Sequence, residues 1–343
     1  MAALLALLLI AALSALATPS PAPDSPEANA QVTDLLLYEG IIAGLRAGGD
    51  YYQVAADALR SGSYPLRPFV TFRLPVHAVV QAALPPIVTL ALLYALALGV
   101  MAAWWRRLAP ALARPPARVA AMLLLAGGMV VFVQSGLIAF PEVWSAQLTA
   151  LALAVRRPGH WIAALALALI AMLVRETAAL FAGLMLLAAW RDGERREAAG
   201  WGIALAAFAL ALVAHAWGVS RVVNPLDPAS PGWSGLLGPG FFTRALIDST
   251  AIQLLPTIVA APLVAFALFG WSAWRDPLAE RTLAVLLGYG AAIAIFARAD
   301  TFYWALMAAP VFLAGLAFAP DALRDLWRAL LDRPRVRVQR ITQ

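Results

Sequence analysis

Cysteine is missing from all 343 positions, which removes disulfides, thiolate metal sites and cysteine nucleophiles from consideration. Lysine is missing too, so every one of the 25 basic residues is arginine. With abundant Ala, Gly and Pro, that usage fits a GC-rich bacterial gene. Histidine occurs only at His77, His160 and His215, and no two are spaced as a metal pair. Charged residues make up 13% of the chain against 63% hydrophobic, too few for the charged shell that keeps a soluble protein of this length dispersed. No repeat of fixed period is visible, so the inverted-repeat signature of many transporters is absent.

What is present is a series of apolar runs, at about 2 to 17, 76 to 104, 119 to 140, 143 to 155, 161 to 174, 177 to 190, 201 to 219, 249 to 272, 282 to 297 and 303 to 319. They predict an all-α, polytopic transmembrane helical bundle of about ten spans, with short interfacial helices in the first outer loop. The chain reads as a single membrane domain, 1–343. It comprises a first span at 1–17, an outer loop at 18–75, a bundle at 76–319 with an outer loop at 220–248, and a basic cytoplasmic tail at 320–343. Three runs are short: a 14-residue helix covers about 21 Å, less than the roughly 30 Å hydrocarbon core. The net charge of +6 would suggest nucleic acid in a soluble protein. Here the arginines flank the apolar runs, where they fix orientation and meet anionic lipid headgroups.

The stretch from Trp161 to Trp190 reads either as one helix with Arg175 and Glu176 at its middle or as two short helices turning there. With the turn, 17 arginines fall inside and 8 outside. With one helix and all else equal, the count reverses against the positive-inside rule. A variant with 143 to 155 re-entrant and 161 to 190 as a single span stands second. Both place the C-terminus in the cytoplasm, and the favoured reading of the first run as an uncleaved anchor puts the N-terminus there too.

The first outer loop opens with a Pro- and Ala-rich linker, Thr18 to Ala30. Helical periodicity follows from Thr33 to Ala47, with Thr33 as its expected cap, and a second short helix runs from Asp50 to Arg60 before Ser61-Gly62. Both are amphipathic, suited to the membrane surface or the bundle.

By this topology 11 of the 19 acids face outward, so any chemistry belongs on the outer face. The candidate groups are Asp34, then Asp50 with Tyr51 and Tyr52, then Arg73, then Glu142 with Arg175 and Glu176, and finally Arg298 with Asp300. Arginine presents a planar fork of donors that matches phosphate oxygens and keeps its charge when desolvated. Arg73, Arg175 and Arg298 are expected at one depth on one side, where convergence would create an anionic headgroup site. A base within hydrogen-bond reach of an acceptor hydroxyl would complete a transfer reaction. Asp34 and Asp50 are the candidates, although each is equally the acid that a helix N-terminus favours.

This layout resembles the GT-C superfamily of polytopic glycosyltransferases. The resemblance rests on a first span followed by a long outer loop with two surface helices and acids (Asp34, Asp50), on short mid-chain helices around Arg175-Glu176-Thr177-Ala178, and on the later loop Ser220 to Asp248. It implies a membrane enzyme of the bacterial cytoplasmic membrane that moves a sugar from a polyprenyl-phosphate donor to an envelope acceptor on the outer face. A first-loop acid would act on the acceptor, and outward arginines would hold the lipid phosphate. The chain departs from the superfamily where Thr18-Pro19-Ser20 follows the first span and no Trp-Trp-Asp signature occurs. No cofactor is expected, since no spacing demands a metal, though the outer acids are of a kind that binds Mg²⁺ or Mn²⁺. The expected partners are membrane lipid and the lipid-linked sugar, with no nucleic acid. A transporter or flippase, or a non-catalytic envelope assembly protein, is the alternative.

Overall fold

The computed structural model describes residues 1–18 and 26–331. Part of the expected linker and the arginines of the tail beyond residue 331 lie outside the described residues. Among the described residues every regular element is helical and there is no strand. In chain order the α-helices are α1 (Ala2–Leu13), α2 (Pro26–Arg46), α3 (Tyr51–Ser61), α4 (Pro75–Ala83), α5 (Pro86–Leu108), α6 (Pro115–Gly128), α7 (Pro141–Val155) and α8 (Ile162–Val174). The series continues with α9 (Ala179–Arg191), α10 (Arg195–Ser220), α11 (Gly238–Asp248), α12 (Thr257–Trp271), α13 (Pro277–Phe296), α14 (Ala309–Phe312) and α15 (Ala319–Leu331).

Among the described residues three helices are long and apolar enough to cross a membrane, namely α5, α10 and α13. A fourth is formed if Ala299–Met307 and Ala309–Ala317, bent by 55°, make one span. The expected spans divide for identifiable reasons. Pro85 splits 76 to 104 into α4 and α5, because proline breaks the hydrogen-bond ladder. The run 119 to 140 ends as α6 at Gly128 and continues in short 3₁₀ turns, and 249 to 272 begins as a 3₁₀ turn before α12.

One shorter helix is covered by protein instead. Helix α7 buries residues all round, from Pro141 to Ala154, and forms the centre of the bundle. Its faces are small: Ser145 Oγ donates to Ala171 O on α8, and the Trp104 indole of α5 donates to Ala150 O. Helix α12 packs against 313–317 backbone to backbone. A Cβ on Gly270 would stand 1.9 Å from Gly315 O, and one on Gly315 would stand 2.0 Å from Ala267 O.

The chain reverses at 175–178. Gly200 near the start of α10 abuts Trp161 and Leu165 at the start of α8, while α9 ends at Arg191, immediately before α10. The start of α8 and the end of α9 therefore share one end of the bundle. Arg156 pairs with Glu197 there, at 3.0 and 2.7 Å, beside a network joining Arg191, Asp192, Glu280 and Arg281. At the far end of α10, Gly218 lies against Tyr52.

In the first loop α2 starts at Pro26, so Thr33 sits inside a helix rather than capping one, and the linker gives way to helix eight residues earlier than periodicity indicates. Helix α3 agrees with expectation: Asp50 is its N-cap, accepting from the Tyr52 and Gln53 amides, and Gly62 ends it. Its buried face, Tyr51, Ala55, Ala56 and Leu59, packs with Ile41, Leu66, Phe72 and Val219. This docks α3 on the bundle.

Candidate functional site

Between the first-loop helices, the 175–178 turn and the segment 298–304 lies a cavity of about 940 Å³. Its wall has two characters. Leu37, Ile41, Ala55, Leu59, Val70 and Phe72 line an apolar part, and Asp34, Arg73, Arg175, Glu176, Arg298 and Asp300 bring charge.

Asp34 and Tyr38 lie one turn apart on α2, so they share a face. Tyr64 donates to Asp34 Oδ1 at 2.8 Å. Burial pushes the Asp34 carboxyl above its ordinary value of 3.8, against the opposing pull of the Tyr64 hydrogen bond and the Arg73 charge. Arg73 Nε donates to Tyr38 Oη at 2.9 Å and Nη2 to Tyr303 Oη at 3.3 Å, while Tyr51 donates its hydroxyl to Arg73 O. Four residues of helix separate Asp34 from the tyrosine that holds Arg73, about 6 Å along α2.

From Arg73 the charges alternate inward. Arg73 Nη1 stands 3.7 Å from Glu176 Oε1, the same oxygen contacts Arg175 Nη1, and Arg175 Nε lies 2.6 Å from Glu142 Oε1. Arg73 and Glu176 are 22% and 23% exposed, whereas Arg175 and Glu142 are 1% and 0%. The Arg175–Glu142 contact is an ion pair without hydrogen-bond alignment, and both Glu142 oxygens are otherwise unpartnered. Carboxylates on two sides offset part of the cost of taking the buried arginine's charge out of water.

Arg298 grips Asp300 bidentately, at 3.1 and 2.8 Å, and reaches Ser230 Oγ and Gly232 O, both at 3.4 Å. The loop carrying Ser230, Pro231 and Trp233, all cavity-lining, is tied on its other side to α3. There Arg60 pairs bidentately with Asp227, Arg67 Nε donates to Asp227 O, and the Leu66 amide donates to Pro228 O. The Arg60 hydrogen bond holds the Asp227 carboxyl down to about 2.

Of the residues singled out from sequence, Asp34, Tyr51, Arg73, Arg175, Glu176, Arg298 and Asp300 line this one cavity. Three others do not. Asp50 spends its carboxylate on capping α3, Tyr52 turns its hydroxyl toward His215 Nδ1 at 3.4 Å, and Glu142 lies behind Arg175. Tyr38, Tyr64 and Trp233 enter the site without having been singled out. Only Tyr38 left a signal, its spacing of four from Asp34. Among the described residues no group of three or more His, Asp or Glu is placed to hold a metal ion. No protein-family model, curated protein or solved structure matches the chain.

Proposed function

We propose that the protein is a membrane glycosyltransferase of GT-C type, with about ten membrane-crossing or membrane-embedded segments and its cavity open to the outer face of a bacterial cytoplasmic membrane. The observation that carries this reading is a single cavity joining a half-buried first-loop carboxylate, Asp34, to Arg73, Arg175 and Arg298. In the proposed reaction Asp34 takes the proton of the acceptor hydroxyl as the oxygen forms its bond to the sugar's anomeric carbon. The bond from that carbon to the phosphate oxygen breaks, and the polyprenyl phosphate leaves with the bonding pair. Arginine charge steadies the growing negative charge on the leaving oxygen. The Tyr64 hydrogen bond occupies one oxygen of Asp34 and leaves the other for the acceptor. A carboxyl whose affinity for protons is raised by burial is a better base than an exposed one. The apolar wall of Leu37, Ile41, Leu59 and Val70 suits the start of a prenyl chain.

The test is transfer of labelled sugar from a polyprenyl-phosphate donor by protein reconstituted in liposomes. Asp34→Asn is expected to lower the rate about 10²-fold or more, in the range of lost general-base catalysis, with no loss of thermal stability. Arg73→Gln is expected to raise KM for the donor. Undiminished transfer by both variants would eliminate this site.

A further inference from the structure

Glu176 occupies the position where a ligand's anionic oxygen would meet the Arg73 guanidinium. It sits on the 3₁₀ turn between α8 and α9, a quarter exposed to the cavity, 3.7 Å from Arg73 Nη1 and in contact with Arg175 Nη1. The second contact explains why Arg175 has two carboxylates. If Glu176 leaves, Arg175 gives up its hydrogen bond to that carboxylate but keeps the Glu142 charge at 2.6 Å, and an entering anion takes the vacated place. Arg73 stays in place as well, because the Tyr38 and Tyr303 hydroxyls hold its Nε and Nη2. The more exposed of the ladder's two carboxylates is the one nearest the cavity.

We infer that Glu176 is an internal stand-in for the ligand's anion, closing the Arg73 site at rest and swinging off it when a phosphate group enters. This rests on the proposed role of the cavity in holding a lipid-linked phosphate, and it adds the residue that sets the strength of that hold. With Glu176 in place the Arg73–Glu176–Arg175–Glu142 ladder is neutral, so an incoming anion gains little until Glu176 withdraws. A weak resting site favours release of the phosphate product as much as capture of the donor. Asp300 holds Arg298 in the same way, with two hydrogen bonds from a neighbouring position in the turn.

The test measures binding, not transfer, in lipid nanodiscs, read by the fluorescence of the cavity tryptophans Trp233 and Trp304. One arm titrates a polyprenyl monophosphate incorporated in the disc, and the other titrates free inorganic phosphate against neutral discs. Glu176→Gln is expected to bind the lipid phosphate about tenfold more tightly than the native chain, the effect of removing a like charge worth roughly 1.4 kcal/mol. Adding Arg73→Gln should erase the gain. A gain with inorganic phosphate too assigns recognition to the phosphate alone, and a gain with the lipid only assigns part of it to the chain. Either supports the inference. Unchanged or weaker binding by Glu176→Gln overturns it. Should that variant fail to fold, Glu176→Asp, which draws the carboxylate back by one methylene, is held to the same criterion. A native protein that transfers no sugar while Glu176→Gln gains phosphate affinity would sink the transferase reading and leave this one standing.

Discussion

Asp34 is the residue at which stability and the proposed chemistry pull apart. Its carboxyl is raised by burial, so the folded state prefers it protonated. The sign follows directly. A group raised on folding contributes most below its unfolded value, 3.8, and that contribution is lost as pH rises through the folded value. At neutral pH the ionised carboxylate is therefore a burden that Asn would not carry. Asp34→Asn is expected to unfold at the same or a higher temperature than the native chain at pH 7, with the difference closing as the pH approaches 3.8. Tyr64→Phe removes a bond in place at rest, and is expected to cost about 1 kcal/mol. It also moves the acid limb of a transfer pH profile upward, since the Tyr64 hydrogen bond lowers the Asp34 carboxyl. Thermal melts across pH together with the rate profile check both.

These particulars indicate how much of the site could be read in the sequence. Arginines at the ends of apolar runs stand out because charge is scarce there, and Arg73, Arg175 and Arg298 do meet in one cavity. Asp34 and Asp50 could not be told apart, because an acid at the start of a helix looks the same whether it caps the helix or faces a cavity. Asp50 proves to be the cap. Tyr64 lies 30 residues from Asp34 and joins it only through the folding of α2 against α3, a contact with no local pattern.

At the scale of elements, the lesson concerns what an apolar run does once folded. All-helical architecture follows from the length and composition of the runs, whereas the turn at 175–178 is legible only from the distribution of arginines between the two sides. The breaks inside other runs come from Pro85 and from packing that a run of Ala and Leu does not announce. The closest such packing is α12 on 313–317, where two glycines let backbones touch as small residues do between membrane helices. The Cβ clashes at Gly270 and Gly315 are with backbone carbonyls, which cannot rotate aside. Gly270→Ala and Gly315→Ala are each expected to destabilise by about 3 kcal/mol, the upper end for overpacking. Gly183→Ala on α9 is the control. Nothing lies within 4 Å of its added Cβ, so it is expected to be neutral or to gain up to about 1 kcal/mol in helix propensity. Unfolding of the three purified variants in detergent measures the contrast.

At the scale of the whole molecule the charges sort by end. Helix α10 covers about 32 Å at 1.5 Å per residue from Glu197, in its pair with Arg156, to Gly218 against Tyr52. The first end also gathers Arg191 and Arg281, and the second holds the cavity with an acid for nearly every arginine. An end rich in arginine is the one a bilayer retains on the cytoplasmic side, and on the proposed reading that turns the cavity outward. Because the chain has no cysteine of its own, single introduced cysteines report position against a clean background. Ser61→Cys, at the exposed end of α3, is expected to react with a membrane-impermeant maleimide in intact spheroplasts. Arg196→Cys, exposed in the first turn of α10, is expected to react only after the membrane is opened. Equal labelling of both before lysis would mean that α8 and α9 do not return the chain to the side it left, and an outward site for lipid-linked sugar would have no membrane face to open on.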